Sequence, residues 1–288
     1  MKIGFIGAGK VGISFGIYLT RKGFQIYGYY SRTFESARNA ADRTGSKAVE
    51  DMGVLVKNSD VIFITTGDDE ISKVCSNLAE KNLLTKGKIV VHMSGALSSR
   101  ILHSAIERGC CVYSLHPLQA FADVEKASLD LNNTVFSIEG DLERMDIMES
   151  ILEKTGNPYY KLTQQQKGIY HAAACVLSNY MVTLMDYGLS LYKSIGIDGQ
   201  DALNAVRPLI QGTLDNVMEL GPEGALTGPI ARGDIQTVKS HVEALKKYSP
   251  ESLEFYKQMA LMTVELAKKR KLNDKNKEDA LKNLLEEV

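Results

Sequence analysis

Short apolar runs alternate with longer amphipathic stretches along residues 1–163. This alternation is typical of β-strands joined by helices that cross back over a sheet. Two of the runs, Val61–Ile64 and Ile89–Val91, are apolar at every position, as in strands that helices cover on both faces. The pattern predicts a doubly wound, mostly parallel α/β sheet. The predicted strands are Lys2–Ile6, Gln25–Tyr30, Val61–Thr65, Ile89–Met93, Cys111–Leu115, Thr134–Ile138 and Tyr159–Leu162.

The strand pattern stops after Thr163, and the remaining chain has helical periodicity. Asp198, Asp234 and Pro250 supply helix start signals. We therefore expect a sheet domain over residues 1–163 and an all-α domain over residues 164–288. The predicted helices cover residues 164–194, 199–219, 234–247, 250–271 and 275–287.

Composition narrows the classes of protein without choosing among them. The 288 residues are 44% hydrophobic and 24% charged, which is ordinary for a folded domain. The net charge of −1 argues against a basic surface that binds nucleic acid. No run approaches the roughly 20 apolar residues of a membrane helix, and the N-terminus reads as a strand rather than a signal peptide. The four cysteines lack metal-ligand spacing. We expect a cytoplasmic protein with reduced thiols and no metal.

A glycine-rich motif follows the first predicted strand and opens a predicted helix. This is the context in which a GxGxxG binds a dinucleotide. The first glycine permits a tight turn, the second lets the backbone approach the pyrophosphate, and the third lets helix and strand pack closely. The helix N-terminus then offers unpaired N–H groups to the phosphates. The motif is Gly7-Ala8-Gly9-Lys10-Val11-Gly12.

The end of the second strand indicates which dinucleotide is bound. NAD enzymes usually carry an acidic residue there for the ribose 2′-hydroxyl, but no acidic residue lies between Ile13 and Phe34. Ser31, Arg32 and Thr33 stand there instead, and a guanidinium with two hydroxyls suits a 2′-phosphate. The sequence favours NADP(H); the alternative is that Arg32 is only a surface residue.

Thr65, Thr66 and Gly67 follow the third apolar strand at its carboxyl end, where ligands bind in such sheets. Gly67 would allow the backbone to approach the nicotinamide ribose. The alternative is a helix start in which Asp68 is the N-cap, and we assign Asp68 mainly to capping.

Candidate chemistry follows the next two strands. Ser94-Gly95 and His116 stand at carboxyl ends, where a hydroxyl and an imidazole can bind a substrate oxygen and exchange its proton. Two alternatives stay open: Ser94 as a helix N-cap, and His116 as a histidine bonded to local backbone.

The first helix of the second domain carries a polar stripe. Lys167 and His171 are four residues apart and share a face, which Cys175 and Asn179 continue. Buried polar groups need partners, and a pocket beside the nicotinamide would supply them. The alternative is a helix end with Lys167 in solvent and His171 in the core.

A loop between two later helices carries Arg232 and Asp234. Arg232 can pair with a substrate carboxylate or lock the loop to Asp234, and Asp234 can instead cap the next helix.

Five motifs together resemble NADP oxidoreductases whose C-terminal half is known only as a domain of unknown function. They are GAGKVG, SGA, LHPLQAF, KGIYHAAACVLSNY and LTGPIARGD. The wider group includes pyrroline-5-carboxylate reductase, prephenate dehydrogenase, ketopantoate reductase and the β-hydroxyacid dehydrogenases.

The resemblance implies a C-terminal domain similar to that of 6-phosphogluconate dehydrogenase and a homodimer formed through the helices. In β-hydroxyacid dehydrogenases a Lys and an Asn four residues later act at the substrate. Lys167 matches that Lys, whereas His171 stands in the Asn position. Ser94 and His116-Pro117 resemble the substrate contacts of prephenate dehydrogenases, and Asn179 resembles a further substrate-binding residue.

The leading hypothesis is an NADP(H)-dependent oxidoreductase acting on a small carbonyl, imine or hydroxy compound, with an anionic group held by Arg232. Lys167 or His171 exchanges the proton, and Ser94, Gly95 and Asn179 surround the substrate. The alternative is an NADP(H)-binding sensor or interaction protein without turnover, because a dinucleotide fold does not prove catalysis.

Overall fold

The computed structural model describes residues 1–286, which form two compact units divided along the chain between Asn179 and Tyr180. Helix Gln166–Leu177, which the sequence assigned to the helical half, groups with the sheet by compactness. The functional boundary near Thr163 stays a prediction. The expectation of helix at residue 287 lies outside the described residues.

The first unit contains one eight-stranded sheet in the order β3-β2-β1-β4-β5-β6-β7-β8. All neighbouring strands pair in parallel except β6 and β7, which are antiparallel. The doubly wound, mostly parallel sheet is therefore confirmed. The strands are β1 Lys2–Ile6, β2 Gln25–Tyr30, β3 Lys47–Ala48, β4 Val61–Ile64, β5 Ile89–His92, β6 Cys111–Pro117, β7 Phe136–Gly140 and β8 Tyr159–Lys161.

Helices cover both faces of this sheet, as the continuous apolar strands require. In β4, Val61 and Phe63 belong to one apolar core, whereas Ile62 and Ile64 belong to the other. Alternate residues of one strand thus support opposite cores. The helices of this unit are α1 Lys10–Arg21, α2 Phe34–Thr44, α3 Met52–Lys57, α4 Asp68–Glu80, α5 His103–Glu107, α6 Val124–Asp130, α7 Met145–Thr155 and α8 Gln166–Leu177. Short 3₁₀ turns lie at Ser99–Leu102 and Leu131–Asn133.

The sheet changes winding direction between β1 and β4. Strand β1 lies between β2 on one side and β4 on the other, so the connections leave in opposite directions. A crevice opens at the carboxyl ends of two such strands, and this is where ligands bind in open α/β sheets.

The second unit is helical within the described residues. Its small core is formed by residues such as Ile230, Val238, Val264 and Leu281. Its helices are α9 Asn179–Ser194 (whose first residue belongs to the sheet unit), α10 Gly199–Ala225, α11 Pro229–Arg232, α12 Ile235–Tyr248, α13 Leu253–Lys268 and α14 Lys275–Glu286, with a 3₁₀ turn at Pro250–Ser252. None of these helices, within residues 1–286, has both the length and the apolar character to cross a membrane.

The structure corrects three sequence expectations. The helix predicted over 164–194 is broken at Ser178, whose φ of −116° and ψ of −70° leave the helical range. Ser and Asn side chains compete for backbone hydrogen bonds and favour such breaks. The segment around Arg232 is not a plain loop, because α11 lies between Gly228 and Gly233, both with positive φ. Strand β3 was missed, since its two residues carry no pattern.

Candidate functional site

The glycine motif forms the turn between β1 and α1. Gly7 has a φ of +108°, and a Cβ there would lie 2.8 Å from the carbonyl oxygen of Thr65. A Cβ on Gly12 would lie 2.4 Å from Thr65 Oγ1. No described atom lies within 4 Å of a Cβ built on Gly9, the N-cap of α1. Two glycines are thus needed for packing against the end of β4, whereas the third leaves space for a ligand.

A cavity of about 660 Å³ opens beside this turn at the ends of β1, β2 and β4. We call it the switch-point cavity. The glycine turn, the segment after β2 and the segment after β4 all contribute to its walls. The predicted cofactor residues that line it are Gly7, Ala8, Gly9, Ser31, Arg32, Thr33, Thr65, Thr66 and Gly67.

The charges in the switch-point cavity leave one cation free. Glu70, the acidic residue among those lining it, pairs with Lys73 Nζ at 2.6 Å. Arg32 is exposed, and its guanidinium has no hydrogen bond or ion pair within the described chain. Thr33 Oγ1 lies 2.7 Å from Ser36 Oγ. The Arg32 fork is available to an anion that enters the cavity.

Two threonines at the end of β4 behave differently. Thr65 Oγ1 donates to the carbonyl of Gly7 at 2.8 Å and so closes the glycine turn. Thr66 Oγ1 is buried and has no partner among the described residues. An unpaired buried hydroxyl at a cavity wall is a group that a ligand or water completes. Together with Gly9 and Arg32, it makes the cavity suitable for a dinucleotide.

Lys10 and Val11 do not line the switch-point cavity. The Lys10 Nζ reaches away and donates to the carbonyl of Ala122 at 2.7 Å. Lys10 therefore ties the glycine turn to the segment after β6, and Val11 packs against the larger apolar core.

Lys167 lies in the first turn of α8 and is 1% exposed. Its Nζ donates to the backbone carbonyl of Ser94 at 3.0 Å and to Ser114 Oγ at 2.8 Å. Burial lowers the pKa of Lys167 to about 8, and the carboxylates of Glu139 and Asp68 oppose that fall. The buried ammonium joins the segment after β5 to the middle of β6.

The Ser94 hydroxyl is fully engaged. Its Oγ donates to Asp68 Oδ2 at 2.8 Å and accepts from the backbone N–H groups of Ala96 at 3.2 Å and Leu97 at 3.1 Å. Ser94 is not a helix N-cap, because residues 95–97 form a bend and Ser98 precedes the next helical turn, so these bonds close a local turn. Asp68 is not the N-cap of α4, because Gly67 occupies that position and Asp68 is the first helical residue. Its carboxylate instead accepts the Ser94 hydroxyl.

His116 and His171 converge on Gly95. A Cβ on Gly95 would lie 2.4 Å from His171 Nδ1 and 2.8 Å from His116 Nε2. The two rings lie edge to face with centroids 5.9 Å apart, and Tyr170 contacts His116 in the same way. Burial lowers the pKa of His116 to about 3, with a further contribution from the charge of Lys167. Gly95 is thus required where two imidazoles meet.

The outer side of His171 contacts a thiol. Cys175 Sγ lies 3.5 Å from His171 Nε2, one helical turn further along α8. His171 Nδ1 and His116 Nδ1 are both buried without a hydrogen-bond partner in the described chain. These nitrogens can exchange a proton with a substrate only if that substrate or a water reaches them.

We call Lys167, Ser94, Ser114, His116 and His171 the Lys167 cluster. The sequence did not point to Ser114. Its hydroxyl accepts a hydrogen bond from the Lys167 ammonium and donates one to the Ser94 carbonyl at 3.2 Å. The sequence also did not point to Glu139, a buried carboxylate opposite Ser114 in the β6–β7 register that accepts Ser99 N–H at 2.7 Å and Ser99 Oγ at 2.8 Å. The available signal was a polar residue inside an otherwise apolar strand.

Two further predicted site residues are exposed at the surface of their own helices. Asn179 is exposed at the start of α9, because the break at Ser178 ends the polar stripe. Arg232 is exposed in α11 of the second unit. Asp234 caps α12, accepting Thr237 N–H at 3.1 Å and Thr237 Oγ1 at 2.7 Å. The roles of Asn179 and Arg232 at a substrate stay predictions.

The fold and this site define a Rossmann-type class. Residues 1–117 match the Rossmann-like domain model, and residues 134–263 match a domain of unknown function, DUF2520. No curated protein matches the chain.

Solved structures identify the family. Protein TM1727 from Thermotoga maritima is 30% identical, with a TM-score of 0.72 over 93% of this chain and 98% of that one. The chain belongs to the same family as TM1727. A protein named "putative NADP oxidoreductase BF3122", from Bacteroides fragilis, is 24% identical with a TM-score of 0.72 over 92% of this chain and 98% of that one.

A more distant likeness shows the fold alone. A reductive aminase from Aspergillus terreus, in complex with NADPH and ethyl-5-oxohexanoate, is 16% identical with a TM-score of 0.58 over 99% of this chain and 92% of that one.

Proposed function

We propose that this protein is an NADP(H)-dependent oxidoreductase that acts on a small carbonyl, imine or hydroxy compound. The observation that carries the proposal is the switch-point cavity, with Gly9 open to a ligand and Arg32 unpaired at its wall. A likeness to structures named as an NADP oxidoreductase and as a reductive aminase with NADPH bound supports it.

The chain's own groups would hold three parts of the dinucleotide. The N-terminus of α1 would offer its free N–H groups to the pyrophosphate across Gly9. Ser31, Arg32 and Thr33 would hold the 2′-phosphate, with Arg32 providing the charge. Thr65, Thr66 and Gly67 line the path toward the nicotinamide.

When bound, NADP(H) supplies or accepts the hydride. His171 exchanges the substrate proton through Nδ1, which faces Gly95 and has no protein partner in the described chain. Lys167 stays bonded to Ser94 and Ser114 and orients the end of β5, and its charge favours a developing negative charge on the substrate. Arg232 holds an anionic group of the substrate.

Cofactor preference is tested by titrating NADPH and NADH into the wild type and into Arg32→Gln. We expect the wild type to prefer NADPH and Arg32→Gln to bind NADPH at least tenfold more weakly, because a charge-assisted pair with a phosphate is lost. NADH binding should be unchanged. Arg38→Gln is the matched control, since Arg38 stacks on Phe34 one turn into α2 and does not line the cavity. NADH binding as tight as NADPH in the wild type contradicts the assignment.

Turnover is tested by following NADPH absorbance with a panel of keto acids, aldehydes and cyclic imines. Consumption with any member, reduced in His171→Asn, is the expected result. NADPH binding without consumption across the panel favours the sensor alternative.

We propose that α9 and α10 form a homodimer with a second copy of the chain. None of the described residues of α9 is buried, although the helix carries Met181, Leu184 and Tyr192. These side chains and residues of α10 such as Leu209 line an apolar cavity of about 410 Å³. Contiguous exposed apolar surface of this kind marks an interface.

Analytical ultracentrifugation should show a wild-type dimer, a monomer for Leu184→Glu and a dimer for the control Ser190→Glu. A wild-type monomer contradicts the proposal.

A further inference from the structure

A second cavity opens at the amino-terminal edge of the same sheet, where β1, β2, β4 and β5 begin. We call it the amino-edge cavity. Its volume is about 940 Å³, compared with about 660 Å³ for the switch-point cavity. Helix α7 forms one wall through residues including Ile147, Ser150 and Lys154. No residue assigned to the proposed reaction lines it.

Positive charge is concentrated on the walls of the amino-edge cavity. Lys86, Lys88, Arg144 and Lys154 line it, and Asp60 is the acidic residue among those lining it. Four cationic side chains and one carboxylate leave a local side-chain charge of +3, whereas the whole protein carries −1. The Asp60 carboxylate is also engaged, since its Oδ2 accepts the Lys2 N–H at 2.7 Å.

Three of these cations are held in place by backbone carbonyls. Lys88 Nζ donates to Ser59 at 2.7 Å, Lys154 Nζ donates to Gly23 at 3.0 Å, and Arg144 Nη1 donates to Gly87. An ammonium has three donors and a guanidinium has five, so each anchored group keeps donors for a ligand. Because the carbonyls already order these side chains, less side-chain conformational entropy is lost when a ligand binds.

The spacing of the cations indicates more than one anionic group. Arg144 is the N-cap of α7 and Lys154 follows ten residues later, which corresponds to roughly 15 Å along a helix. The planar fork of an arginine suits phosphate oxygens. Partial burial lowers the pKa of Lys88, and a bound anion would oppose that effect.

We propose that the amino-edge cavity binds a small-molecule polyphosphate, held by Lys86, Lys88, Arg144 and Lys154. The ligand would bind at the edge of the sheet opposite to the switch-point cavity. The proposal does not depend on the proposed function, because the two cavities share no lining residue.

The test is isothermal titration of inorganic triphosphate into the full chain. We expect saturable binding that weakens at least tenfold, about 1.4 kcal/mol, in the double variant Lys86→Gln/Lys154→Gln. Arg32→Gln, which alters only the switch-point cavity, and the exposed control Lys126→Gln should bind as the wild type does. Binding should also weaken as salt is raised.

Lys86→Gln alone keeps the test decisive if the double variant folds poorly, because the Lys86 ammonium makes no hydrogen bond within the described chain; we expect it to weaken binding severalfold. Three results overturn the proposal: no saturable binding at millimolar triphosphate, loss of binding in Arg32→Gln rather than in the lysine variants, or citrate binding as tightly as triphosphate. The second result would place the anion in the switch-point cavity.

Discussion

The switch-point cavity and the Lys167 cluster occupy the same edge of one sheet but are built in different ways. The cavity is lined by glycine backbone, by an unpaired guanidinium at Arg32 and by an unpaired hydroxyl at Thr66. In the cluster, the Lys167 ammonium and the Ser94 hydroxyl bond to other protein groups, and Lys167 is 1% exposed. The first region presents unpaired hydrogen-bond donors to a ligand. In the second region most hydrogen-bond donors are bonded to other protein groups and hold the local geometry.

The difference separates binding from chemistry. Free donors over an open backbone bind a large anionic molecule with little rearrangement. A buried, internally bonded cation holds a fixed electrostatic field at one point, as a reaction centre requires. Variants of each region should therefore affect cofactor binding and turnover separately.

The largest expected effect comes from removing the buried ammonium. Lys167→Met should lower turnover by about 10²–10⁴-fold, the range for loss of a positioned charge or acid–base group, while NADPH affinity changes little. The activity of the wild type should also fall as the pH rises through about 8, where Lys167 loses its proton, and this limb should be absent in the variant.

Lys81→Met is the control for charge removal, because Lys81 is exposed at the end of α4. If Lys167→Met lost as much NADPH affinity as turnover, the assignment of binding to the switch-point cavity and of chemistry to the Lys167 cluster would be contradicted.

A second effect follows from the buried imidazoles. The pKa of His116 is lowered to about 3 and that of His92 to about 4, from a usual 6.5. Below 6.5 the unfolded chain therefore binds more protons than the folded chain, and stability falls as the pH falls. Because each histidine stays neutral in the folded chain, each should lower the free energy of unfolding by about 2 kcal/mol between pH 7 and pH 5.

Urea unfolding of the wild type, His116→Gln and His103→Gln at both pH values measures this cost. His116→Gln should lose about 2 kcal/mol less than the wild type on acidification, and the exposed control His103→Gln should behave as the wild type does. Equal acid sensitivity in all three proteins would show that His116 is not held neutral by burial.

The smallest effect tests the open side of the cavity. Gly9→Ala should leave the free energy of unfolding within about 0.5 kcal/mol of the wild type, because no described atom meets the new methyl group. It should weaken NADPH binding about tenfold by standing between the backbone and the pyrophosphate.

Gly12→Ala is the matched substitution within the same motif. Its Cβ would lie 2.4 Å from Thr65 Oγ1, so it should destabilise the fold by about 1–3 kcal/mol. Equal stabilities of Gly9→Ala and Gly12→Ala would contradict the separate roles of the two glycines.

The glycine turn could be predicted because its information is local. Gly7, Gly9 and Gly12 lie within one turn and its helix, and the two strand ends they approach are apolar runs of ordinary length. Strand β3 lacked such information, since Lys47–Ala48 pairs with β2 without any pattern of its own.

The Lys167 cluster was predicted only in part, because its members come from three distant segments. Lys167, Ser94, His116 and His171 were found as polar residues at strand ends and on one helix face. Ser114 and Glu139 sit inside strands, and only the antiparallel pairing of β6 with β7 brings them opposite each other. Asn179 was grouped with the stripe because nothing in the periodicity marks the break at Ser178.

The antiparallel pairing of β6 with β7 also determines at which edge of the sheet insertions between these two strands would lie. A parallel crossover must return to the opposite edge of the sheet, but residues 118–135 leave β6 beside Pro117 and re-enter at Phe136, its register partner. The whole connection, with α6 and the Ala122 carbonyl bound by Lys10, therefore belongs to the edge that holds the switch-point cavity. Insertions here would lengthen the chain at that edge and leave the amino-edge cavity as it is, because none of residues 118–135 lines it.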